Sequence, residues 1–382
     1  MKTPSRSLPL AALASFLVFG CLLAQSSSPQ EAIRLQQQGK WTEAARAWQR
    51  VVERNPRDAV AFASLGFALS KEGKYQEAAS AYRKALALDP KLPGIQLNLG
   101  LAEFKLGRFE AAIAPLTAVL AAQPENTQAR TLLGFSYYGA ARYPEAVQYL
   151  APVAKLDPTN MELQQTLAQS CLRAKNYACA LEAYREILRR EPDSVAAHML
   201  TGQALDGLGR TSEALAEFQQ AAKIAPRELN LNFGLGFLYW KLTQYDEARR
   251  AFESELALDP NHAQALAYLG DIALKLGRPE EALPLLEKAV AQRNDVRPAF
   301  VNLGTVYTQQ KRYPEALKAI ERAVELDPDE PEAHYQLARA YRAMGNAEAA
   351  RKEFEKVREL REKADALDRE RPAAPSSSPA GP

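Results

Sequence analysis

The stretch LGFALSKEGKYQEAASAYRKALALDP, residues 65–90, contains three kinds of residue that recur along the chain at intervals of 34 residues. Its last residue belongs to a column of prolines: Pro56, Pro90, Pro124, Pro158, Pro192, Pro226, Pro260 and Pro328. A second column contains only alanine: Ala44, Ala78, Ala112, Ala146, Ala180, Ala214, Ala248, Ala282, Ala316 and Ala350. A third contains only glycine and alanine: Ala32, Gly66, Gly100, Gly134, Ala168, Gly202, Gly236, Gly270, Gly304 and Ala338. The chain is therefore built from one repeated unit.

Each unit is predicted to be a pair of helices, called helix A and helix B from here on. Small residues at two positions 12 apart, one on each helix, let the two helices approach closely. The segment between them reads EGKYQEA in residues 72–78 and LGRFEAA in residues 106–112. Glycine or a polar residue ends helix A there, and proline or glutamate follows at the start of helix B.

This pattern resembles the tetratricopeptide repeat family through Leu65, Gly66, Tyr75, Ala78, Tyr82 and Pro90. The resemblance implies an all-α, right-handed superhelical solenoid of helix-turn-helix repeats. The ten predicted repeats of 34 residues are 25–58, 59–92, 93–126, 127–160, 161–194, 195–228, 229–262, 263–296, 297–330 and 331–364. Two departures are local: repeat eight has Asn294 in the proline column, and Glu31 replaces the apolar residue before Ala32. Register positions below are counted from the first residue of each repeat.

The ends of the array look like caps. Ser28 and Glu31 form a capping box with Pro29 at the first helical position, which predicts the start of the first helix. The last helix continues past the position where most other repeats have proline, with charges on most faces. Residues 365–382 are predicted to be the end of this capping helix and a disordered tail rich in Pro, Ser and Ala.

Residues 1–24 have the pattern of an export signal. Lys2 and Arg6 precede an apolar run in residues 8–23, and no acidic residue occurs before Glu31. Cleavage after Ala24 would release a soluble protein, whereas lipidation of Cys21 would leave a lipoprotein, and an uncleaved segment would act as an anchor. The expected location is the bacterial periplasm, with membrane contact only through the signal or a lipid.

Charge argues against nucleic acid as a partner. Lys2 and Arg6 supply two of the 48 basic residues, so the chain after residue 24 has 46 basic and 46 acidic residues. A protein that binds the phosphate backbone needs a basic surface. The balanced charge therefore favours a protein partner.

Two of the three cysteines, Cys171 and Cys179, flank one predicted turn. Cys171 lies in a core column, and Cys179 lies in a column that mostly contains glutamate. Zinc binding would need further ligands, and the three histidines lie in other repeats. Two interpretations stay open: a disulfide that closes the hairpin in an oxidising compartment, or a small core residue beside a surface thiol.

The sequence contains no motif for catalysis or for a cofactor. Serine hydrolase, zinc protease, phosphate-binding loop and calcium loop patterns do not occur. In a solenoid each repeat contacts only its neighbours, so acid, base and nucleophile would all have to come from adjacent hairpins. The chain is therefore predicted to be neither an enzyme nor a metal or cofactor binder.

Binding is instead predicted on positions 5, 9 and 12 of helix A, which in the resembled family line a concave groove. Apolar side chains occupy this stripe in repeats two to four and seven, with glutamine between them. Because contiguous apolar surface usually marks a partner site, the predicted groove residues are Phe67, Leu97, Leu101, Phe104, Phe135, Tyr138, Gln169, Gln203, Phe233, Phe237 and Trp240. The alternative is that these side chains only fill the space between neighbouring helices.

The predicted function is a monomeric, exported scaffold that binds another protein or a peptide segment. The groove lacks the Lys and Asn pattern with which some members of the resembled family hold acidic carboxy-termini, since Ala63 and Phe67 precede Asn98. Two alternatives remain. One is a lipid-anchored assembly factor of an envelope, pilus or polysaccharide export machine, and the other is an accessory subunit of a separate enzyme.

Overall fold

The computed structural model of this protein describes residues 28–370, with side chains up to residue 366. The predicted export signal, the lipidation candidate Cys21 and most of the predicted tail lie outside the described residues. Within residues 28–370 there are 20 helices and no strand. The helices are α1 Pro29–Gln37, α2 Trp41–Arg54, α3 Ala59–Lys71, α4 Tyr75–Leu88, α5 Ile95–Lys105, α6 Phe109–Ala122, α7 Thr127–Gly139, α8 Tyr143–Leu156, α9 Met161–Arg173, α10 Tyr177–Arg190, α11 Val195–Gly207, α12 Thr211–Ile224, α13 Leu231–Lys241, α14 Tyr245–Leu258, α15 Ala263–Lys275, α16 Pro279–Gln292, α17 Arg297–Gln309, α18 Tyr313–Leu326, α19 Pro331–Ala343 and α20 Ala347–Glu370.

The helices form ten consecutive hairpins in the described part of the chain. Odd-numbered helices are helix A and even-numbered helices are helix B, and each pair packs together, as α3 does with α4. The predicted all-α array of hairpins is confirmed. The helix between residues 347 and 370 is longer than the other B helices, with 24 residues against 14 in α4. Among residues 28–370, no helix combines the length and hydrophobicity that crossing a bilayer requires.

Helix ends follow local rules. Ser28 Oγ accepts the amide N–H of Glu31 at 3.3 Å, and Pro29 is the first residue of α1. Asp58 and Asn126 cap α3 and α7 in the same way, each at 2.9 Å. In each repeat, the residue at position 15 lies in the turn between helix A and helix B. Its φ is positive in all ten repeats, between 56° and 81°. Six of these ten residues are glycine, which adopts that conformation without strain, and the others are Ala141, Lys175, Thr243 and Lys311.

The glycine column sets the distance between helix A and helix B. A Cβ added at Gly66 would lie 2.7 Å from the ring of Tyr82, and one at Gly134 would lie 2.4 Å from Leu150. Both partners are at position 24, where every side chain from Trp48 to Ile320 is at most 9% exposed. The close approach predicted from the small residues is confirmed, and it buries one large side chain in each of the first nine hairpins.

By internal packing the chain divides into two compact units, residues 1–170 and 171–382, with the boundary in α9. The described core of the first unit includes Trp48, Tyr82 and Leu116. That of the second includes Tyr184, Phe252 and Leu286.

Candidate protein-binding groove

In the first unit, the predicted stripe on helix A is partly open to solvent. Phe67 is 38% exposed, and the other predicted residues, Leu97, Leu101, Phe104, Phe135 and Tyr138, are half-buried, while Gln169 is exposed. Two further apolar residues of the same helix faces are more open, Ile33 at 43% and Val60 at 59%. On the helix A faces of this unit, the exposed large apolar side chains therefore lie in repeats one and two.

The aromatic side chains of this stripe also contact one another between repeats. Phe104 stacks on Phe135 with ring centres 6.4 Å apart, and Phe67 meets Trp41 edge-on at 5.9 Å. The hydroxyl of Tyr138 donates to Oε1 of Gln169 at 2.5 Å. The two interpretations from sequence are thus not exclusive, since these aromatic side chains contact a neighbouring repeat and are also partly open to solvent.

A cleft of about 500 Å³ lies beside Phe67. It is lined by Trp41, Val60, Ala63, Phe67, Leu92, Pro93 and Ile95, together with the uncharged polar side chains of Gln36, Gln37, Ser64 and Asn98. Pockets of this size accept small ligands or one or two large side chains. The cleft is the most apolar feature of the groove in this unit.

In the second unit, the predicted aromatic residues form a cluster. Phe233 stacks on His262 at 4.9 Å, and Phe237 and Trp240 meet Tyr268 edge-on at 5.6 Å and 5.1 Å. These three predicted residues are half-buried, whereas Gln203 is exposed. The cluster fills the space between α13 and α15, and Trp240 continues from it into a second cleft.

This second cleft, of about 490 Å³, is more polar than the first. Asp271 lines it and accepts the indole N–H of Trp240 at 2.6 Å and the amide N–H of Asn302 at 3.3 Å. Lys275 approaches the same carboxylate at 3.5 Å, and Arg297 lies on the wall of the cleft. Trp240, Asn302 and Lys275 thus all contact the Asp271 carboxylate.

Tyr268 in the wall of the second cleft should make stability depend on alkaline pH. Burial, and to a lesser extent the Asp271 carboxylate, raises the pKa of Tyr268 from 10.0 to about 12. The unfolded chain loses this proton at a lower pH than the folded chain, so the stabilisation is complete below about pH 10 and is lost between about pH 10 and pH 12. We expect a loss of about 2–3 kcal/mol over that interval in urea unfolding. The variant Tyr268→Phe should lack this component, and an identical pH profile in both proteins would contradict the assignment.

Two histidines on helix A each contact a glutamate on helix B. His198 Nδ1 lies 2.6 Å from Glu217 Oε2, and its Nε2 lies 2.9 Å from the carbonyl oxygen of Pro192. His334 repeats this arrangement with Glu353 and the carbonyl of Pro328. Both ring nitrogens are therefore used to tie helix A to helix B and to the preceding turn. The described residues contain no cluster of three or more side chains suited to a metal ion.

The two cysteines close the turn of the fifth hairpin. Cys171 is fully buried near the end of α9, and Cys179 is half-buried in the first turn of α10, where Asn176 Oδ1 accepts its amide N–H at 3.3 Å. The Cα atoms are 5.7 Å apart, and the structure joins the sulfurs in a disulfide.

Family models of the tetratricopeptide repeat match residues 30–93, 166–228 and 233–296, and further models match residues 295–363 and 69–134. The chain belongs to the tetratricopeptide repeat family. The resemblance stated from the 34-residue pattern is thereby confirmed.

Among solved structures, this tetratricopeptide repeat protein is similar to the Cut9–Hcn1 hetero-tetramer of the APC/C, with 14% identity, 88% of this chain and 82% of that chain covered, and a TM-score of 0.53. It is also similar to YrrB, described as a TPR protein with an unusual peptide-binding site, with 24% identity, 50% and 98% covered, and a TM-score of 0.38. Yeast Tom70 matches with 16% identity, 89% and 93% covered, and a TM-score of 0.43. No curated protein matches the chain in sequence. The likeness to Cut9–Hcn1 supports the fold alone.

Within the tetratricopeptide repeat register, the clefts include positions that the sequence analysis left out of its groove. Val60 at position 2, Asn98 at position 6 and Gln37 at position 13 line the first cleft, as does Trp41 from the start of helix B. Positions 2, 6 and 13 are one turn from the stripe at 5, 9 and 12, so the 3.6-residue period could have identified them. The groove is wider than three positions per repeat.

Proposed function

We propose that this protein is a non-enzymatic scaffold that binds a segment of another protein along the helix A stripe of its first unit. The observation that carries the proposal is the group of exposed apolar side chains, Ile33, Val60 and Phe67, next to an apolar cleft. Soluble proteins seldom leave such groups in contact with water unless a partner covers them.

A protein segment fits this surface better than a small molecule does. Partly open apolar side chains continue from Phe67 through Leu101 to Phe135, over three successive repeats. A small ligand would occupy one cleft, whereas an amphipathic helix or an extended chain can contact several repeats at once. The amides of Gln36, Gln37 and Asn98 offer hydrogen bonds to the backbone of such a segment.

Photo-crosslinking in cells that express the protein natively would test this proposal. A benzophenone amino acid replaces Phe67 in one variant and the exposed Gln148 on α8 in a control. We expect the Phe67 variant alone to give a discrete adduct, whose mass spectrum identifies the partner. Equal labelling from both positions, or none from Phe67, would contradict binding at this surface.

We propose further that the protein is exported. Support comes from the basic and apolar pattern of residues 1–24 and from the Cys171–Cys179 disulfide, because disulfides persist in oxidising compartments. The intact mass of the protein purified from its own cells distinguishes a chain starting at Gln25 from one lipidated at Cys21. Reduction should add the mass of two hydrogens. A chain that keeps Met1 and gains no mass on reduction would refute export.

A further inference from the structure

We infer that the segment bound by the first unit carries a bulky apolar side chain flanked by acidic residues. The apolar side chain would enter the cleft over Ala63, and the carboxylates would pair with Lys71 and Lys105. This inference rests on the proposed function and specifies the chemistry of its partner.

The cleft exists because position 5 of the second repeat is small. Most other described repeats have a larger side chain there, such as Leu97, Phe233 or Tyr335, and only Ala63 and Ala267 are alanine. Both alanines line a cleft, Ala63 the first and Ala267 the second. An alanine at this position therefore leaves room that a partner side chain can fill.

The lining of the first cleft selects an uncharged, apolar side chain. Trp41, Phe67, Pro93 and Ile95 line it, and no charged side chain of the described residues does. A charged group placed there would lose its hydration without an opposite charge in contact. An aromatic or large aliphatic side chain would instead cover surface that is now exposed, including Val60 at 59%.

The charges beside this cleft differ from those of the second unit. Lysine occurs at position 13 of helix A in four described repeats, as Lys71, Lys105, Lys241 and Lys275. In the second unit each lysine has an aspartate partner: Lys241 lies 2.5 Å from Asp206, and Lys275 lies 3.5 Å from Asp271. In the first unit, no carboxylate of the described residues pairs with Lys71 or Lys105, and Lys71 lies over the ring of Phe67 at 5.3 Å.

In repeats one to four, no acidic residue at the groove positions of helix A balances these two lysines; the first one in the unit is Glu162, at position 2 of repeat five. From residue 28 to residue 139, positions 2, 5, 6, 9, 12 and 13 of helix A contain neither Asp nor Glu. In repeats one to four, the groove face is thus largely apolar, and Lys71 and Lys105 give it a positive border. A partner segment with acidic residues would complement the positive charge of this surface. A basic segment would be repelled by it.

The experiment uses the full-length protein and three synthetic peptides with a common Leu-Trp-Leu centre, flanked on both sides by Asp, Lys or Asn. Affinities are measured by fluorescence anisotropy at low and physiological salt. We expect the Asp-flanked peptide to bind about ten-fold or more tightly than the Lys-flanked one, with a difference that shrinks as salt rises.

Two sets of variants separate the cleft from the charges. The variant Ala63→Phe fills the cleft and should weaken binding of all three peptides by about ten-fold. Ala267→Phe, the same change at the same register position of the second unit, should leave binding within about two-fold. The double variant Lys71→Glu and Lys105→Glu should reverse the order of the Asp-flanked and Lys-flanked peptides. Lys155→Glu with Lys223→Glu, at exposed sites on B helices, should not reverse it. Far-ultraviolet circular dichroism checks that each variant folds.

The outcomes distinguish this inference from the proposed function. Peptides that bind without preference for acidic flanks, or binding unaffected by Ala63→Phe, would overturn the inference and leave the scaffold function intact. If no peptide binds and Phe67 also captures no protein, both proposals fail. If no peptide binds but Phe67 does capture a protein, the crosslinked segment decides, because acidic flanks around a bulky apolar residue support the inference and basic flanks refute it.

Discussion

Replacing Phe252 by alanine should lower the free energy of unfolding of the second unit by about 3–5 kcal/mol, as for other buried aromatic side chains. Phe252 is fully buried on α14, and its ring stacks on Tyr268 with centres 5.5 Å apart. It also lies 5.8 Å from Phe233 and touches α13 so closely that a Cβ on Gly236 would be 2.7 Å from it. Alanine at this position would leave a cavity between α13, α14 and α15, because the ring of Phe252 now fills the space between these helices.

The matched control is Phe252→Leu. Leucine is the native residue at the same register position in Leu116, Leu150 and Leu286, so we expect a cost of only about 1–1.5 kcal/mol. Urea unfolding followed by circular dichroism gives the loss, and hydrogen exchange locates it. Because each repeat contacts only its neighbours, protection should fall mainly in α13 to α16. Equal unfolding midpoints for the two variants would argue against the packing described here.

The sequence predicted the helices and their register well because both depend on local rules. A period of 34 residues, small residues at fixed positions and turn signals at each hairpin place every helix within its repeat. Ser28 caps α1 as expected, with Oγ 3.3 Å from the amide nitrogen of Glu31. Turns without glycine, as at Lys175, keep the same positive φ because the flanking helices impose it.

The groove could be predicted as a stripe but not as a set of clefts. Periodicity places Phe67 and Phe135 on one face of their helices, and both are accessible there. A cleft depends on the volume of the side chains from neighbouring repeats, as at Ala63 between Trp41 and Ile95. Ion pairs between repeats could not be predicted for the same reason. Lys241 pairs with Asp206 of the preceding repeat, and no local sequence pattern links these two residues.

Two buried carboxylates escaped the sequence analysis for a related reason. Glu103 and Glu255 occur in columns that are otherwise mostly apolar, and each is 1% exposed. Glu255 accepts the amide N–H groups of Asn230 at 2.8 Å and Phe233 at 3.1 Å. It therefore caps α13 from the neighbouring helix, in place of an N-cap side chain. Only the packed structure shows which amide groups such a carboxylate reaches.

Replacing Arg83 by alanine should destabilise the first unit by about 3 kcal/mol, because it would leave the buried Glu103 without its main partner. Arg83 on α4 donates to Oε1 of Glu103 on α5, and the remaining cation nearby, Arg108, is 3.9 Å from Oε2. Oε2 itself is buried without a hydrogen bond. The half-exposed Arg83 thus offsets most of the desolvation cost of burying the Glu103 carboxylate.

Replacing Glu103 by leucine instead should not lower the free energy of unfolding. Glu103→Leu places leucine in a column that has it at Leu35, Leu69 and Leu205, and exchanging a buried ion pair for apolar contacts is often neutral or stabilising by about 1–4 kcal/mol. The double variant Arg83→Ala with Glu103→Leu should then recover the stability lost in Arg83→Ala, as measured by urea unfolding. If the double variant is as unstable as Arg83→Ala, the arginine contributes through packing of its aliphatic stem, and the charge of Glu103 is irrelevant. A full recovery would mean that this ion pair is kept for a reason other than the stability of the hairpins, since leucine alone suffices for that.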